Sequence, residues 1–190
     1  MYCFLAGQWL RKINNPPETD GGPYLYMFNH VSMFDQFMIG AYVGHYITAV
    51  AAIETFRYPI FGFILKKYGI IPIVRQKIKK AIVSLKVAEK AIKQGTSFLI
   101  SPEGTRTLTG EIGPFKKGPF HLAKNTNATI VPIALKGGFR AKRKNDWRLH
   151  PGVLTVVFGD PIKNTEYKEL DIKELRDLIS KRINNLKKRG

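Results

Sequence analysis

Residues 24–37 read YLYMFNHVSMFDQF and change character half-way. Five apolar or aromatic residues in a row, 24–28, fit a strand inside a sheet covered on both faces. From residue 33 the pattern fits a helix, predicted over 33–43. Between them lie Asn29, His30 and Ser32, and Asp35 follows His30 by five positions. A buried strand that passes through a short polar loop into a helix is the building unit of an α/β fold.

The chain repeats that unit outward from this point. YITAVAAI (46–53) reads as a buried strand, 59–67 as a short helix and GIIPIVR (69–75) as a strand. Residues 77–94 predict a helix with Ile78, Ile82, Leu85 and Ile92 on one face and Lys79, Lys86, Lys90 and Lys93 on another, stopped by Gly95. SFLIS (97–101), ATIVPIAL (128–135) and VLTVVFG (153–159) predict strands, with a helix from about Lys117 to Asn125 between the first two. A last helix opens at Asp171, where Glu174 completes a capping box, and buries Ile172, Leu175, Ile179, Ile183 and Leu186. The expected fold is therefore α/β, with a mixed, largely parallel sheet covered by helices. Its organisation is one domain over 1–190: an N-terminal helix and loop (1–23), a core (24–159) and a C-terminal basic helix (160–190). The basic segment Lys136 to Arg148 reads as a mobile insertion.

Composition narrows the partner. With 31 Lys and Arg against 14 Asp and Glu the formal net charge is +17, which calls for an anionic partner: nucleic acid, an anionic membrane or a phosphorylated substrate. The single cysteine, Cys3, excludes an intrachain disulfide. The four histidines are scattered and neither CxxC nor HExxH occurs, so no metal-ligand spacing appears. MYCFLAGQWLRK lacks the basic start and cleavage site of a signal peptide. Met1, Leu5 and Trp9 at spacings of four predict a short helix over 1–13, either lying in a membrane interface or capping the core. Residues 36–53 carry no charged side chain, but Gln36, His45 and the change of pattern at Gly44 favour a helix followed by a strand over a membrane span.

His30 and Asp35 would point about 140° apart on a continuous helix. They meet only if the chain turns between them, and Ser32 as N-cap with Asp35 at the third helical position supplies such a turn. Two readings of the pair then stand. In one, Asp35 is a cap and His30 a partly buried histidine. In the other they form a catalytic dyad, in which the imidazole takes a proton and the carboxylate fixes its tautomer. No serine or cysteine nucleophile accompanies them, so the activated group would be a substrate hydroxyl.

Other segments add anion-binding chemistry. SPEGTRT (101–107) follows a strand and sets Glu103 and Arg106 around Gly104-Thr105. The Arg106 guanidinium offers a planar fork for phosphate. Arg75 ends another strand, and Lys116 and Lys117 stand near a helix start, where backbone N–H groups favour anions.

Taken in order, Asn29-His30-x4-Asp35, Gly69 to Arg75, Glu103-Gly104-Thr105-Arg106 and IVPIAL with Pro132 resemble the four blocks of the glycerolipid acyltransferases. The bacterial lysophosphatidic acid acyltransferases are the most similar, over about Tyr24 to Gly159. The resemblance implies His30 as general base and Asp35 as its partner. It implies that Arg75, Glu103, Gly104, Thr105 and Arg106 help to bind the acceptor's phosphate and glycerol, with Lys116 or Lys117 assisting. It also implies an acyl-CoA or acyl-carrier-protein donor and a lysophospholipid acceptor, with no cofactor and no metal. The expected location is the cytoplasmic face of the inner membrane, held through an anionic lipid surface. A different acceptor, such as glycerol-3-phosphate or another lysolipid, stays open. Nucleic-acid binding is disfavoured, since no RNP-like motif, zinc finger or helix-turn-helix is evident. Two departures stand out: AVAAIE lacks the lysine that relatives often carry after the second strand, and only 28 residues precede Asn29, which implies slighter membrane attachment or a shortened chain.

Overall fold

The computed structural model describes residues 7–18, 21–74 and 78–189, with Ile78 placed by its backbone alone. Seven strands form one sheet: β1 (Gln8–Ile13), β2 (Tyr24–Phe28), β3 (Ile47–Ala52), β4 (Ile71–Ile73), β5 (Ser97–Ile100), β6 (Thr129–Lys136) and β7 (Gly152–Phe158). Their order across the sheet is β1-β7-β6-β2-β5-β3-β4. All neighbours are parallel except β6 and β7, so the sheet is mixed and largely parallel. The helices are α1 (Asp35–Gly40), α2 (Pro59–Lys67), α3 (Ile78–Lys93), α4 (Gly118–Thr126), α5 (Gly138–Ala141), α6 (Asn164–Tyr167) and α7 (Ile172–Lys188), with a 3-10 turn at Ile53–Arg57 before α2.

Strand alternation divides the core into two layers. Leu25 and Met27 of β2 point into one, with Phe98, Ile130 and Val157, where α3, α4 and α7 supply Ala88, Ile92, Phe120, Leu175 and Ile179. Tyr24, Tyr26 and Phe28 point into the other, with Val131, Ile133 and Val156, closed by Phe34, Met38 and Ile39 around α1. Burial on both faces is why these strands read as unbroken apolar runs. The last helix starts as expected: the Asp171 carboxylate accepts from the Glu174 N–H, and Glu174 accepts from the Asp171 N–H.

Several local expectations give way. The helix over 1–13 does not form where the chain is described; residues 1–6 lie outside the described residues, and Gln8–Ile13 is an edge strand parallel to β7. Long-range polar contacts hold it at both ends: Gln8 Nε2 donates to the His150 carbonyl at 2.7 Å and Asn14 Nδ2 to the Phe158 carbonyl at 2.8 Å. Ladder pairing over six residues outweighs a helical spacing drawn from three side chains. β3 is not deeply buried, since of its residues only Thr48 is fully covered. On α3 the covered positions are Ala88 and Ile92, whereas Ile82 is exposed. The segment 136–148 is not a free insertion: it ends β6, forms α5 and packs α5 under the His30 loop.

Candidate active site

β2 and β5 are adjacent and parallel, and both end at the same edge of the sheet. Ligands of open α/β sheets bind beyond the carboxyl ends of the strands. Here the chain leaves β2 through Asn29 and His30 and leaves β5 through Ser101 to Thr107. Asn29 prolongs β2 with its side chain: Nδ2 donates to the Leu135 carbonyl at 3.1 Å, and Oδ1 accepts from the Leu135 N–H at 2.7 Å. Fully buried, this amide fixes where the chain turns off the sheet.

His30 and Asp35 meet. His30 Nδ1 lies 2.7 Å from Asp35 Oδ2. That carboxylate also accepts the Val31 N–H at 2.8 Å and, through Oδ1, the Ser32 N–H at 3.0 Å. These backbone partners are donors, so the carboxylate accepts from Nδ1–H, and in the neutral ring Nε2 then carries the lone pair. Burial pushes the Asp35 carboxyl above its ordinary range, opposed by its hydrogen bonds from His30, Ser32 and Val31. Asp35 thus turns the loop and orients the ring at once. Ser32 is not the cap: α1 starts at Asp35 after Phe34, and Ser32 Oγ donates to the Lys142 carbonyl at 3.2 Å. A tighter turn results, because the carboxylate itself gathers the loop amides.

The third block grips the same histidine. Glu103, buried, accepts the His30 N–H through Oε1 at 2.7 Å and the Gly113 N–H through Oε2 at 2.8 Å. The Thr107 N–H donates to the His30 carbonyl at 2.9 Å. Both backbone groups of His30 are therefore held by residues 103–107, and the ring sits edge-on to Phe28 at 5.7 Å between centroids. Burial raises the Glu103 carboxyl, and its bonds from Gly113 and His30 oppose the rise. Both Glu103 oxygens face backbone amides, which gives this residue a positioning part.

The cations gather around the Glu103–Arg106 turn. Gly104 has φ +69°, and a Cβ there would come within 3.2 Å of the Lys116 side chain, so the lysine lies directly across the turn. Thr105, exposed, accepts from Lys144 Nζ at 3.0 Å. Arg106 is half-buried and makes no hydrogen bond among the described residues. Lys117 is exposed at the start of α4. Arg75 lies outside the described residues. Lys144 escaped the sequence reading because its segment looked like an insertion. The signal was there in the glycine pair: a Cβ on Gly138 would press to 2.9 Å from Val31 and 3.1 Å from Ser32, so α5 must seat against the dyad loop. No group of three or more possible metal ligands occurs among the described residues.

Comparison with known proteins shows the family and the fold. A profile of the family described as Acyltransferase matches residues 10–136. A 1-acyl-sn-glycerol-3-phosphate acyltransferase of Cocos nucifera is 35% identical over 186 residues, covering 94% of this chain and 60% of that protein. A protein of the same name from Pseudomonas aeruginosa is 32% identical over 151 residues, 79% of this chain and 57% of its own. The chain spans about half the length of the curated relatives it matches. The crystal structure of the 1-acyl-sn-glycerophosphate (LPA) acyltransferase PlsC from Thermotoga maritima shares the fold. Its TM-score is 0.82 at 22% identity, over 96% of this chain and 74% of that one.

Proposed function

Because this chain belongs to the acyltransferase family, we propose that it moves a fatty acyl group from a thioester to the sn-2 hydroxyl of 1-acyl-glycerol-3-phosphate, giving phosphatidic acid. The donor is acyl-CoA or acyl-carrier protein. The observation that carries the chemistry is His30: its Nδ1 is bound to Asp35, its Nε2 has no hydrogen-bond partner among the described residues, and its backbone is held on both sides by residues 103–107.

Nε2 takes the hydroxyl proton as the oxygen attacks the thioester carbonyl carbon. The tetrahedral intermediate collapses, the C–S bond breaks, and the thiolate takes the proton back from the imidazolium. Asp35 stabilises the imidazolium in between. No protein nucleophile enters the sequence. Arg106 binds the acceptor phosphate as the one cation of the Glu103–Arg106 turn, with Lys116 across the turn, Lys144 bracing Thr105 and Lys117 assisting from the start of α4. Arg75, which lies outside the described residues, is assigned to the same phosphate by the second sequence block. The protein works as a peripheral or monotopic protein at the cytoplasmic face of the inner membrane.

The test is turnover by purified protein with acyl-CoA and with acyl-carrier-protein thioesters, against lysophosphatidic acid, glycerol-3-phosphate and other lysolipids. Phosphatidic acid from lysophosphatidic acid, at a kcat/KM above that for the other acceptors, is the expected result. Acyl transfer to another acceptor alone would overturn the acceptor assignment. No transfer to any of them would overturn the reading.

A further inference from the structure

Helix α2, PIFGFILKK, is apolar along seven consecutive residues, yet only Gly62 of them is buried. Ile60 is 79% exposed, Phe63 62% and Tyr58, just before the helix, 65%. The helix is held by its backbone: a Cβ on Gly62 would lie 2.3 Å from the Phe56 carbonyl oxygen, so only glycine lets it sit this close to the 3-10 turn. Its large side chains are thus left pointing outward. Beside it an open apolar groove of about 440 Å³ runs between Phe56, Ile70 and Pro72 and the exposed Val83 and Val87 of α3. Exposed apolar side chains grouped on neighbouring elements in this way mark an interaction site.

The charge around it selects the partner. Residues 53–93 hold ten Lys or Arg against two Glu, and one of those, Glu89, is paired with Lys93. Lys66 and Lys67 close α2, with Lys67 Nζ 5.9 Å from the Phe63 ring centroid, so its stem lies along the apolar face. On α3, Lys80 and Lys86 stand three residues either side of Val83, and Lys90 three beyond Val87. A second copy of the chain would bring like charge onto this face. Nucleic acid would satisfy the cations and leave Ile60 and Phe63 in water. An anionic bilayer satisfies both, taking apolar side chains below its headgroups and cations among them.

We infer that α2, its flanking Tyr58 and Tyr68, and the Val83–Val87 face of α3 form the surface by which this protein docks onto an anionic membrane. The assignment moves the docking site away from Trp9, which lies on β1 at the opposite edge of the sheet. It also deepens the proposed function, on which it rests for its purpose. The 3-10 turn and α2 follow the carboxyl end of β3, the edge of the sheet at which β2 and β5 deliver His30 and Glu103. A bilayer against α2 lies beside the site that takes a lipid acceptor.

The test is co-sedimentation of the whole chain with phosphatidylcholine vesicles, with and without phosphatidylglycerol, across a salt series. Wild type should bind the anionic vesicles, more weakly as salt rises, and keep a salt-resistant part. Ile60→Ser with Phe63→Ser should lower binding at high salt by tenfold or more, because two deeply inserted side chains stay in water. Lys66→Glu with Lys67→Glu should lower it mainly at low salt. Trp9→Ser should leave both parts unchanged. Equal binding by the Ile60/Phe63 variant and wild type overturns the proposal, as does loss confined to Trp9→Ser. So does a wild-type dimer that the Ile60/Phe63 variant dissolves while still binding vesicles like wild type. Thermal melts confirm that the variants are folded. Turnover on a water-dispersed short-chain acceptor should be unchanged in the Ile60/Phe63 variant. Binding is read without turnover, so an inactive protein that docks through α2 would overturn the proposed activity and leave this surface standing.

Discussion

The carboxyl ends of β2 and β5 and the flank formed by β3, α2 and β4 use similar residues to opposite ends. At the first, Phe28, Phe34, Met38 and Ile133 are covered, and Asn29, Asp35 and Glu103 are bonded through their side chains to backbone groups of neighbouring segments. At the second, Ile60, Phe63 and Val83 face outward, and among strands β3 and β4 only Thr48 is fully buried. Two neighbouring strands, β5 and β3, thus separate a region built to hold one geometry from a region built to meet something else. Apolar composition alone says nothing about which is which; the partner that covers the side chain does.

The largest effect that tests this contrast is at His30. His30→Ala should cut turnover by at least ~10²–10⁴-fold. The fold should persist with a lowered melting temperature, because the bonds to Glu103 and from Thr107 hold the backbone of residue 30, while loss of the ring removes one partner of the buried Asp35 carboxylate. Purified variant assayed beside its melting curve checks both halves, and near-normal turnover would remove His30 from the chemistry. Next in size is the packing contrast. Ile133→Ala, inside the second core layer, should cost about 2–5 kcal/mol in denaturant unfolding, while Ile60→Ala should stay within about 0.5 kcal/mol. Similar costs at the two positions would mean that α2 is covered after all.

Arg106 sharpens the comparison inside the site, since it is half-buried and has no hydrogen bond among the described residues. Arg106→Ala should raise KM for lysophosphatidic acid about tenfold or more, from the loss of a charge-assisted phosphate contact of about 1.5–3 kcal/mol. KM for the donor should change less; the reverse pattern would assign the Glu103–Arg106 turn to the donor.

The smallest effect is a pH dependence. Burial holds the Glu103 carboxyl above its ordinary range. A carboxyl raised on folding contributes stability that is complete below its unfolded value and is lost as pH rises through its folded value. The stability of wild type minus that of Glu103→Gln should therefore fall as pH rises from the ordinary carboxyl range upward. Denaturant titrations at a series of pH values measure it. A difference that grows with pH would mean that the two amide bonds outweigh the burial.

Much of this was legible in the chain itself. The apolar run 24–28, the polar loop and the helix after it carry their own signals within a dozen residues, as does the Asp171–Glu174 capping box. The spacing of His30 and Asp35 also worked locally, because one carboxylate reaches the ring and two amides across a single turn. Ser32 misled because a hydroxyl near a helix start reads as a cap, whereas its partner, the Lys142 carbonyl, lies 110 residues on. Lys144 was missed for the same reason, its Thr105 contact being 39 residues back.

What the sequence by itself determined is the alternation of strand and helix, the dyad and the order of the blocks around it, since each depends on residues a few positions apart. Only the tertiary structure decided that Gln8–Ile13 is a strand, that Glu103 and Thr107 grip the backbone of His30, and that α2 keeps its apolar face uncovered. Those depend on which distant segment lies alongside. Pairing to β7 and closure over the site join residues some 70 to 140 positions apart, and hydrophobic periodicity carries no record of such partners.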